Sequence, residues 1–200
     1  SGGVYMGVGP EQNFTYISTL QPGMAFIVDI RRQNMIEHLL YKAFMELSAD
    51  RADFISRLFA RPRPAGLTAE SSATRLFNAF GETEPDLALF EKNLRMANEL
   101  LERDGIPSDF LSLDDQKKMR KVYTAFFESG PDLSYSFMGS PQRSVQGMPS
   151  YATLMTATDE SGKNWGYLAT EAQFQAVQRM EKNNLIVPIV GDFAGDKAVR

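Results

Sequence analysis

Apolar and polar positions form a repeating strand–helix pattern over the first fifty residues. A short apolar segment at 4–8 contains the first of two closely spaced glycines, and a helix-length segment follows at 11–20. Residues 24–28 are continuously apolar and end at Asp29, and apolar residues then recur at helical spacing over 33–47. This order predicts parallel strands joined by crossover helices, as in the first half of a doubly wound sheet. The continuous apolar run predicts a strand that is covered on both faces.

The middle of the chain has a helical pattern and lacks the pattern of a strand. Four amphipathic segments are expected between Asp50 and Gly130, and they are centred on Phe54 to Phe59, Leu76 to Phe80, Leu87 to Leu101 and Met119 to Phe127, with Ser112 as a helix cap. About eighty residues exceed what a simple connection needs, so we expect an inserted helical subdomain. Its expected role is packing or dimerisation, and a lid over a nucleotide cleft is the alternative.

The pattern changes again after residue 130. Residues 131–167 are rich in glycine and proline and predict a loop-rich connection, in which Ser150 caps a short helix. Thr170 begins a capping box that opens the next helix, and 185–190 form a third apolar strand. Pro188 in that strand suits a sheet edge, and we place the strand parallel in the order 3-2-1. The chain is thus divided into a core at 1–48 and 168–200, a helical insertion at 49–130, and the connection at 131–167.

Three strand ends carry residues suited to a nucleotide. Gly7 and Gly9 allow a tight turn and a close approach of a ligand, and the following helix offers its positive end near Asn13, a candidate cap. Asp29 follows about twenty residues later, where nucleotide-binding folds place a carboxylate on the ribose. Asp192 follows the third strand. Because the carboxyl ends of parallel strands share one edge, we expect these three segments to converge there.

Each of these residues also has a structural interpretation. The glycines could be ordinary turn residues. Asp29 could cap the helix near residue 33 or pair with Arg31 or Arg32, although contact with a ligand is favoured. Asp192 could cap a following helix, and this alternative stays open. His38, the one histidine of the chain, is expected to be packed in its helix rather than to act as a base or metal ligand.

Composition narrows the classes of function. A formal net charge of −4 argues against a nucleic-acid surface, and the absence of cysteine excludes disulfides, thiolate metal sites and a cysteine nucleophile. No apolar run approaches the length of a membrane span, so we expect a cytoplasmic protein without membrane, nucleic-acid or metal partners. The chain begins without Met, which suggests a processed or cropped terminus. No hydrolase or phosphate-loop motif is present, so catalytic residues are not assigned.

The order of the glycine turn, the acid after the second strand and Gly191-Asp192-Phe193 after the third resembles class I S-adenosylmethionine-dependent methyltransferases. Residues 4–34 and 184–200 are similar to an uncharacterised group of bacterial methyltransferase-like proteins. The resemblance implies a Rossmann-like fold and S-adenosylmethionine as the cofactor, with Asp29 on the ribose, Asp192 on the adenine amino group and Phe193 beside the ring. The full set of expected cofactor contacts is Gly7, Val8, Gly9, Glu11, Asn13, Asp29, Ile30, Asp192 and Phe193.

The sequence departs from that family in two respects. Tyr5 stands where the family has an acid before the first glycine, and Glu11 stands in the place of a third glycine, where it is a candidate partner for the cofactor's ammonium group. No fourth strand is visible before Arg200, so we expect an incomplete sheet. A missing C-terminal segment or a homo-oligomer would then cover strand one.

Three functional hypotheses follow. The first is an S-adenosylmethionine-binding, methyltransferase-like protein that acts on an unidentified substrate. The second is an NAD(P)-dependent oxidoreductase. The third is a non-catalytic interaction protein that retains the Rossmann-like fold.

Overall fold

The chain folds into a mixed α/β structure with a three-stranded parallel sheet and several helices. The computed structural model describes residues 2–106, 111–134 and 149–192. In chain order the elements are β1 (Val4–Gly7), α1 (Gln12–Leu20), β2 (Met24–Asp29), α2 (Arg32–Leu47), α3 (Arg51–Phe59), α4 (Ala73–Gly81), α5 (Leu87–Arg103), α6 (Leu113–Ser129), α7 (Tyr151–Thr156), α8 (Glu171–Lys182) and β3 (Ile186–Val190). A 3₁₀ turn, Gly130–Asp132, follows α6.

The sheet has the predicted order and direction. Strand β2 lies in the centre, with β1 and β3 parallel to it on either side. Gly7 lies opposite Ile27, and Asp29 lies opposite Val190. Pro188 lies in β3, which is at one edge of this sheet, so its missing N–H interrupts no further ladder among the described strands. The parallel order 3-2-1 is therefore confirmed.

Helices cover one face of the sheet in the part of the chain that is described. Ala25 and Ile27 of β2 are buried, whereas Val4 and Met6 on the opposite face of β1 are 62% and 52% exposed, and neighbouring Phe26 is only half-buried. Because the strands are added in one direction, crossovers of the usual right-handed sense all lie on the same face. The expectation that β2 is covered on both faces is therefore met only in part among the described residues, because on the far face Phe26 is half-buried whereas Val28 is buried.

The inserted helices extend the core that begins under the sheet. Helix α2 is buried along most of its length and contacts α3, α5, α6, α8 and β3. One continuous group of buried apolar side chains runs from Phe14 of α1 through Phe44 of α2 to Phe126 of α6 and Phe174 of α8. Helices α3, α5 and α6 therefore pack directly on α2, while α4 packs on α3, α7 and the 3₁₀ turn.

Most of the predicted helix starts are confirmed. Ser112 caps α6 and forms a reciprocal capping box with Asp115, while Ser150 caps α7 and Thr170 caps α8. The prediction of Asn13 as the cap of α1 is wrong, because Glu11 occupies the cap position and the helix begins at Gln12, two residues earlier than a cap at Asn13 would allow. The side chain of Asn13 instead folds back onto the glycine turn.

A buried arginine ties the loop before α8 to the helical layer. The guanidinium of Arg51, at the start of α3, donates hydrogen bonds to the carbonyls of Leu168, Ala169 and Ala69 at 2.7–3.0 Å, and also to that of Ser71. A fork of several N–H donors suits such a cluster of carbonyls, which otherwise would lack partners in the interior. Arg51 thus fixes the segment that carries Tyr167 beneath α1.

None of the helices in the described ranges combines the length and the hydropathy that a membrane crossing requires.

Candidate functional site

The three strand ends meet at one edge of the sheet, as predicted. We call this edge the strand-end rim and define it by residues 7–9, 29–30 and 190–192. The parallel register places the ends of β1 and β3 on either side of the end of β2. The amide of Gly191 donates to the carbonyl of Asp29 at 3.0 Å, so the loops after β2 and β3 are in direct contact. The rim therefore brings together the residues that sequence reasoning assigned to three separate turns.

The glycine turn is held from beneath by one side chain. The amide nitrogen of Asn13 lies 3.2, 3.1 and 2.7 Å from the carbonyl oxygens of Val8, Gly9 and Pro10, which share its two N–H donors. Its oxygen accepts a hydrogen bond from the hydroxyl of Tyr5 at 2.9 Å. Asn13 is buried, and its bond to Gly9 is buried with it, whereas the other three contacts are partly buried. The predicted cofactor residue Asn13 thus acts as a support for the turn.

Both glycines are required by this geometry. A Cβ on Gly7 would lie 2.0 Å from the side-chain oxygen of Asn13, which is far closer than two non-bonded atoms can approach. Gly9 has a φ of +86°, in the region that residues with a side chain rarely adopt. The two positions are therefore needed to build the turn, whether or not a ligand lies on it.

His38 holds the turn from the side of α2. Its Nε2 lies 3.0 Å from the carbonyl oxygen of Gly9, and its ring packs edge-on against Phe14. Burial lowers the pKa of His38 to about 4, so the imidazole is neutral at neutral pH and Nε2–H is the donor. His38 is packed, as expected, and its contact with the turn joins α2 to the end of β1.

Two buried acids lie beneath the turn. Glu11 precedes α1 and Glu37 is on α2, and both are almost fully buried. Glu11 Oε2 and Glu37 Oε1 have no hydrogen-bond partner, while the nearby hydroxyl of Tyr41 acts on Glu11 and lowers its pKa slightly against the effect of burial. Burial raises the pKa of Glu37 to about 8, and burial together with the charge of Glu37 raises that of Glu11 well above its usual value. Glu11 thus belongs to an interior pair rather than to the surface of the rim.

Asp29 of the rim is paired with an arginine. Its carboxylate accepts hydrogen bonds from the backbone N–H of Arg31 at 2.8 Å and from the guanidinium Nε and Nη2 at 3.1 and 2.9 Å. These bonds hold the pKa of Asp29 below its usual value. Arg31 is 63% exposed, and Arg32 forms a separate pair with Asp115 at 2.8 and 2.7 Å. The alternative interpretation, in which Asp29 pairs with Arg31, is confirmed.

The rim also exposes apolar surface. Val8 is 52% exposed, Ile30 is 70% exposed, and Val190 is exposed beside them. Asp192 is exposed at the end of β3, while Phe193 lies outside the described residues. Three apolar side chains are thus exposed on adjacent turns, whereas the carboxylate of Asp29 in the middle turn is only 5% exposed. Exposed apolar surface of this kind suits a flat ring.

Sequence reasoning missed the burial of Glu37 and the contact of His38 with the glycine turn. The available signal was that both polar residues lie on a helix whose other positions are mostly apolar. That signal indicates burial but does not show which loop lies against the helix. Within the described residues, no three His, Asp or Glu side chains are grouped as metal ligands.

Comparison with known proteins adds one finding. Residues 1–69 match the family model of a domain of unknown function, DUF7790. The match includes β1, the glycine turn, Asp29 and α2, and it covers 69 of the 200 residues. No curated protein matches the chain significantly.

Proposed function

We propose that the strand-end rim binds the adenosine part of S-adenosylmethionine and that the protein is methyltransferase-like. In this proposal the sheet is the first half of a Rossmann-like doubly wound fold. The observation that carries it is the convergence of a glycine turn, a strand-end acid and exposed apolar side chains on three adjacent parallel strand ends. Ligands of open α/β sheets bind at such carboxyl edges.

The residues fit adenosine better than they fit the whole cofactor. Asp29 offers carboxylate oxygens to the ribose hydroxyls, and Val8 and Ile30 offer apolar surface to the adenine ring. Glu11 is buried with Glu37, so it does not supply a carboxylate to the ammonium of the methionine part. S-adenosylmethionine would bring the transferable methyl group, and the chain would hold donor and acceptor in line.

Binding of a ribose hydroxyl requires that the guanidinium of Arg31 leave a carboxylate oxygen of Asp29. The guanidinium is largely exposed, so it can move into water without losing a buried environment. Asp29 itself is only 5% exposed, so release of the guanidinium costs more than the about 0–1 kcal/mol that is typical of exposed ion pairs. The backbone N–H of Arg31 would continue to donate to Asp29 and keep its carboxylate in place.

An NAD(P)-dependent oxidoreductase is the second candidate. The adenosine half of those cofactors has the same chemistry, and Arg31 is an observation in its favour because an arginine near the ribose accommodates a 2′-phosphate. The third candidate is a non-catalytic interaction protein. The exposed apolar face around Val4 and Met6 favours it, because large exposed apolar patches often mark interaction surfaces.

Isothermal titration calorimetry of the full chain with S-adenosylhomocysteine, S-adenosylmethionine, NAD and NADP tests the proposal. We expect the first two to bind and Asp29→Asn to weaken them about 10–100-fold, since a hydrogen bond to a charged group contributes about 1.5–3 kcal/mol. Asp114→Asn is the matched control, because Asp114 is an exposed acid on α6. Tighter binding of NAD or NADP would support the second candidate. No binding of any of the four compounds at millimolar concentration would refute the adenosine site.

A further inference from the structure

A cavity of about 520 Å³ lies between the end of α1 and the start of α8. This volume falls within the range of about 300–1,000 Å³ that small-molecule sites have. The described lining residues that decide its chemistry are Ser18, Thr19, Lys163, Trp165, Thr170 and Gln173. Ser18 and Thr19 are in the last turn of α1, whereas the glycine turn precedes the first turn of this helix. The cavity and the strand-end rim therefore lie at opposite ends of α1.

The walls of the cavity are held together by bonds within the chain. The hydroxyl oxygen of Thr15 on α1 accepts a hydrogen bond from the backbone N–H of Tyr167 at 3.3 Å. The guanidinium of Arg51 binds the carbonyls of Leu168 and Ala169 in the same loop. The cavity is therefore formed before a ligand enters, which lowers the entropic cost of binding.

An exposed tryptophan forms part of the wall, and hydrogen bonds set its orientation. Trp165 is 42% exposed, although its Nε1–H donates to Asp159 at 2.8 Å and its carbonyl accepts from Gln173 at 3.1 Å. The other oxygen of Asp159 accepts from the backbone N–H groups of Ser161 and Lys163 at 2.9 and 3.0 Å, which closes the turn before the indole. The ammonium of Lys163 lies 3.3 Å from the centroid of the indole ring. A large ring that is fixed in place and still exposed is typical of a ligand site.

The polar groups of the cavity include both acceptors and donors. The hydroxyls of Ser18 and Thr19 donate to the carbonyl of Thr15 at 2.9 and 3.1 Å, so their oxygens can only accept from a ligand. The side-chain amide of Gln173 has two N–H groups, of which one is bonded to the loop carbonyl. Lys163 supplies further N–H donors and is the one charged side chain among the described lining residues.

This set of groups fits a sugar better than it fits an ion. A phosphate or a carboxylate accepts hydrogen bonds, so it would meet unfavourable lone pairs on Ser18 and Thr19. A cation would be repelled by Lys163. Sugar hydroxyls both donate and accept, and the C–H groups of a pyranose ring form an apolar face that can pack on an indole.

We propose that this cavity binds a pyranose sugar, with its ring against Trp165 and its hydroxyls on Ser18, Thr19 and Gln173. The sugar is a free monosaccharide or the terminal residue of an oligosaccharide, since both present the same ring and hydroxyls.

Intrinsic fluorescence of the full chain provides the test. Trp165 is the one tryptophan of the sequence, so its emission reports on the cavity directly. The probes are glucose, galactose, mannose, N-acetylglucosamine, maltose and cellobiose. We expect at least one of them to change the emission saturably at millimolar concentration, and tighter binding of a disaccharide would identify an oligosaccharide end as the ligand. Sorbitol has hydroxyls but no ring, so we expect no saturable change with it.

A variant that keeps the tryptophan tests the contacts. Thr19→Val removes an accepting oxygen at an exposed position, and we expect it to weaken the sugar about 3–10-fold, as for the loss of one neutral hydrogen bond. Thr124→Val is the matched control, because its hydroxyl also donates to the carbonyl four residues earlier but lies on α6. Ligand-observed saturation-transfer NMR of Trp165→Ala, which does not depend on emission, should show loss of the sugar signal.

Three results would overturn the sugar site. The first is no saturable change with any of the six sugars, or an equal change with sorbitol. The second is a saturable response to inorganic phosphate without one to the sugars. The third is equal affinity of Thr19→Val and Thr124→Val, or an undiminished sugar signal with Trp165→Ala.

Discussion

Replacement of Asn13 by alanine tests the construction of the glycine turn. The substitution removes the two N–H donors that three carbonyls share and the acceptor of the Tyr5 hydroxyl. Two donated bonds and one accepted bond at about 0.5–1.5 kcal/mol each would give a loss of about 1.5–4.5 kcal/mol. The carbonyls of Val8 and Gly9 keep a second donor, from Gln12 and His38, so we expect the lower part of that range.

The expected loss is therefore about 2–3 kcal/mol in the free energy of unfolding. For a chain of this size it corresponds to a decrease in Tm of about 5–10 °C, measured by urea and thermal denaturation. Gln12→Ala is the control, because Gln12 donates one exposed hydrogen bond to the same turn. We expect it to cost under about 1 kcal/mol.

Asn13→Asp sharpens the test because it keeps the size of the side chain. The aspartate would place an oxygen against three carbonyls where the amide nitrogen donates now, so we expect at least the loss seen with alanine. Equal stability of Asn13→Ala and Gln12→Ala, or a wild-type stability of Asn13→Asp, would refute the role given to this side chain.

Three further predictions follow from buried contacts. Gly7→Ala should destabilise by about 2–3 kcal/mol through the clash with Asn13, and Asn13→Ala should relieve part of that loss in the double variant, as measured by a denaturation cycle. Arg51→Lys should lower the free energy of unfolding by about 2–4 kcal/mol in urea, because an ammonium cannot reach all the carbonyls that the guanidinium binds. The pKa of Glu37 in the folded state lies near 8, above the usual 4.5. The stabilisation that its protonated form contributes to folding is therefore fully present below pH 4.5 and is lost as pH rises toward 8. Between pH 5 and 7.5 the loss is at most about 3 kcal/mol, and we expect Glu37→Gln to lose less than the wild type over that range in urea titrations. A similar pH dependence of the free energy of unfolding in the two proteins would contradict the raised pKa of Glu37.

The elements that sequence patterns predict well are those fixed by local chemistry. The caps at Ser112, Ser150 and Thr170 depend on side chains and amides three residues apart, and the helix stripes depend on a period that the sequence displays directly. The order of the three strands followed from the rule for crossover connections. The convergence of the strand ends was therefore predictable before any coordinates.

The interior of the site was not predictable in the same way. Whether Glu11 faces the rim or α2 depends on how α1 packs against a helix that begins about twenty residues later, and no local pattern records that packing. The pairing of Asp29 with Arg31 was one of several open alternatives, because two neighbouring arginines offered the same charge. The incomplete cover of the far face of β2, where Phe26 is half-buried and Val28 is buried, was missed because a continuous apolar run is typical of strands in sheets covered on both sides.

The most direct test of the central claim is a map of backbone amide shifts on addition of S-adenosylhomocysteine to the ¹⁵N-labelled full chain. We predict the largest changes in the three parts of the strand-end rim, at 7–9, 29–30 and 190–192, with little change in α4 and α5. Saturable changes confined to other surfaces, or no change at millimolar ligand, would contradict the account.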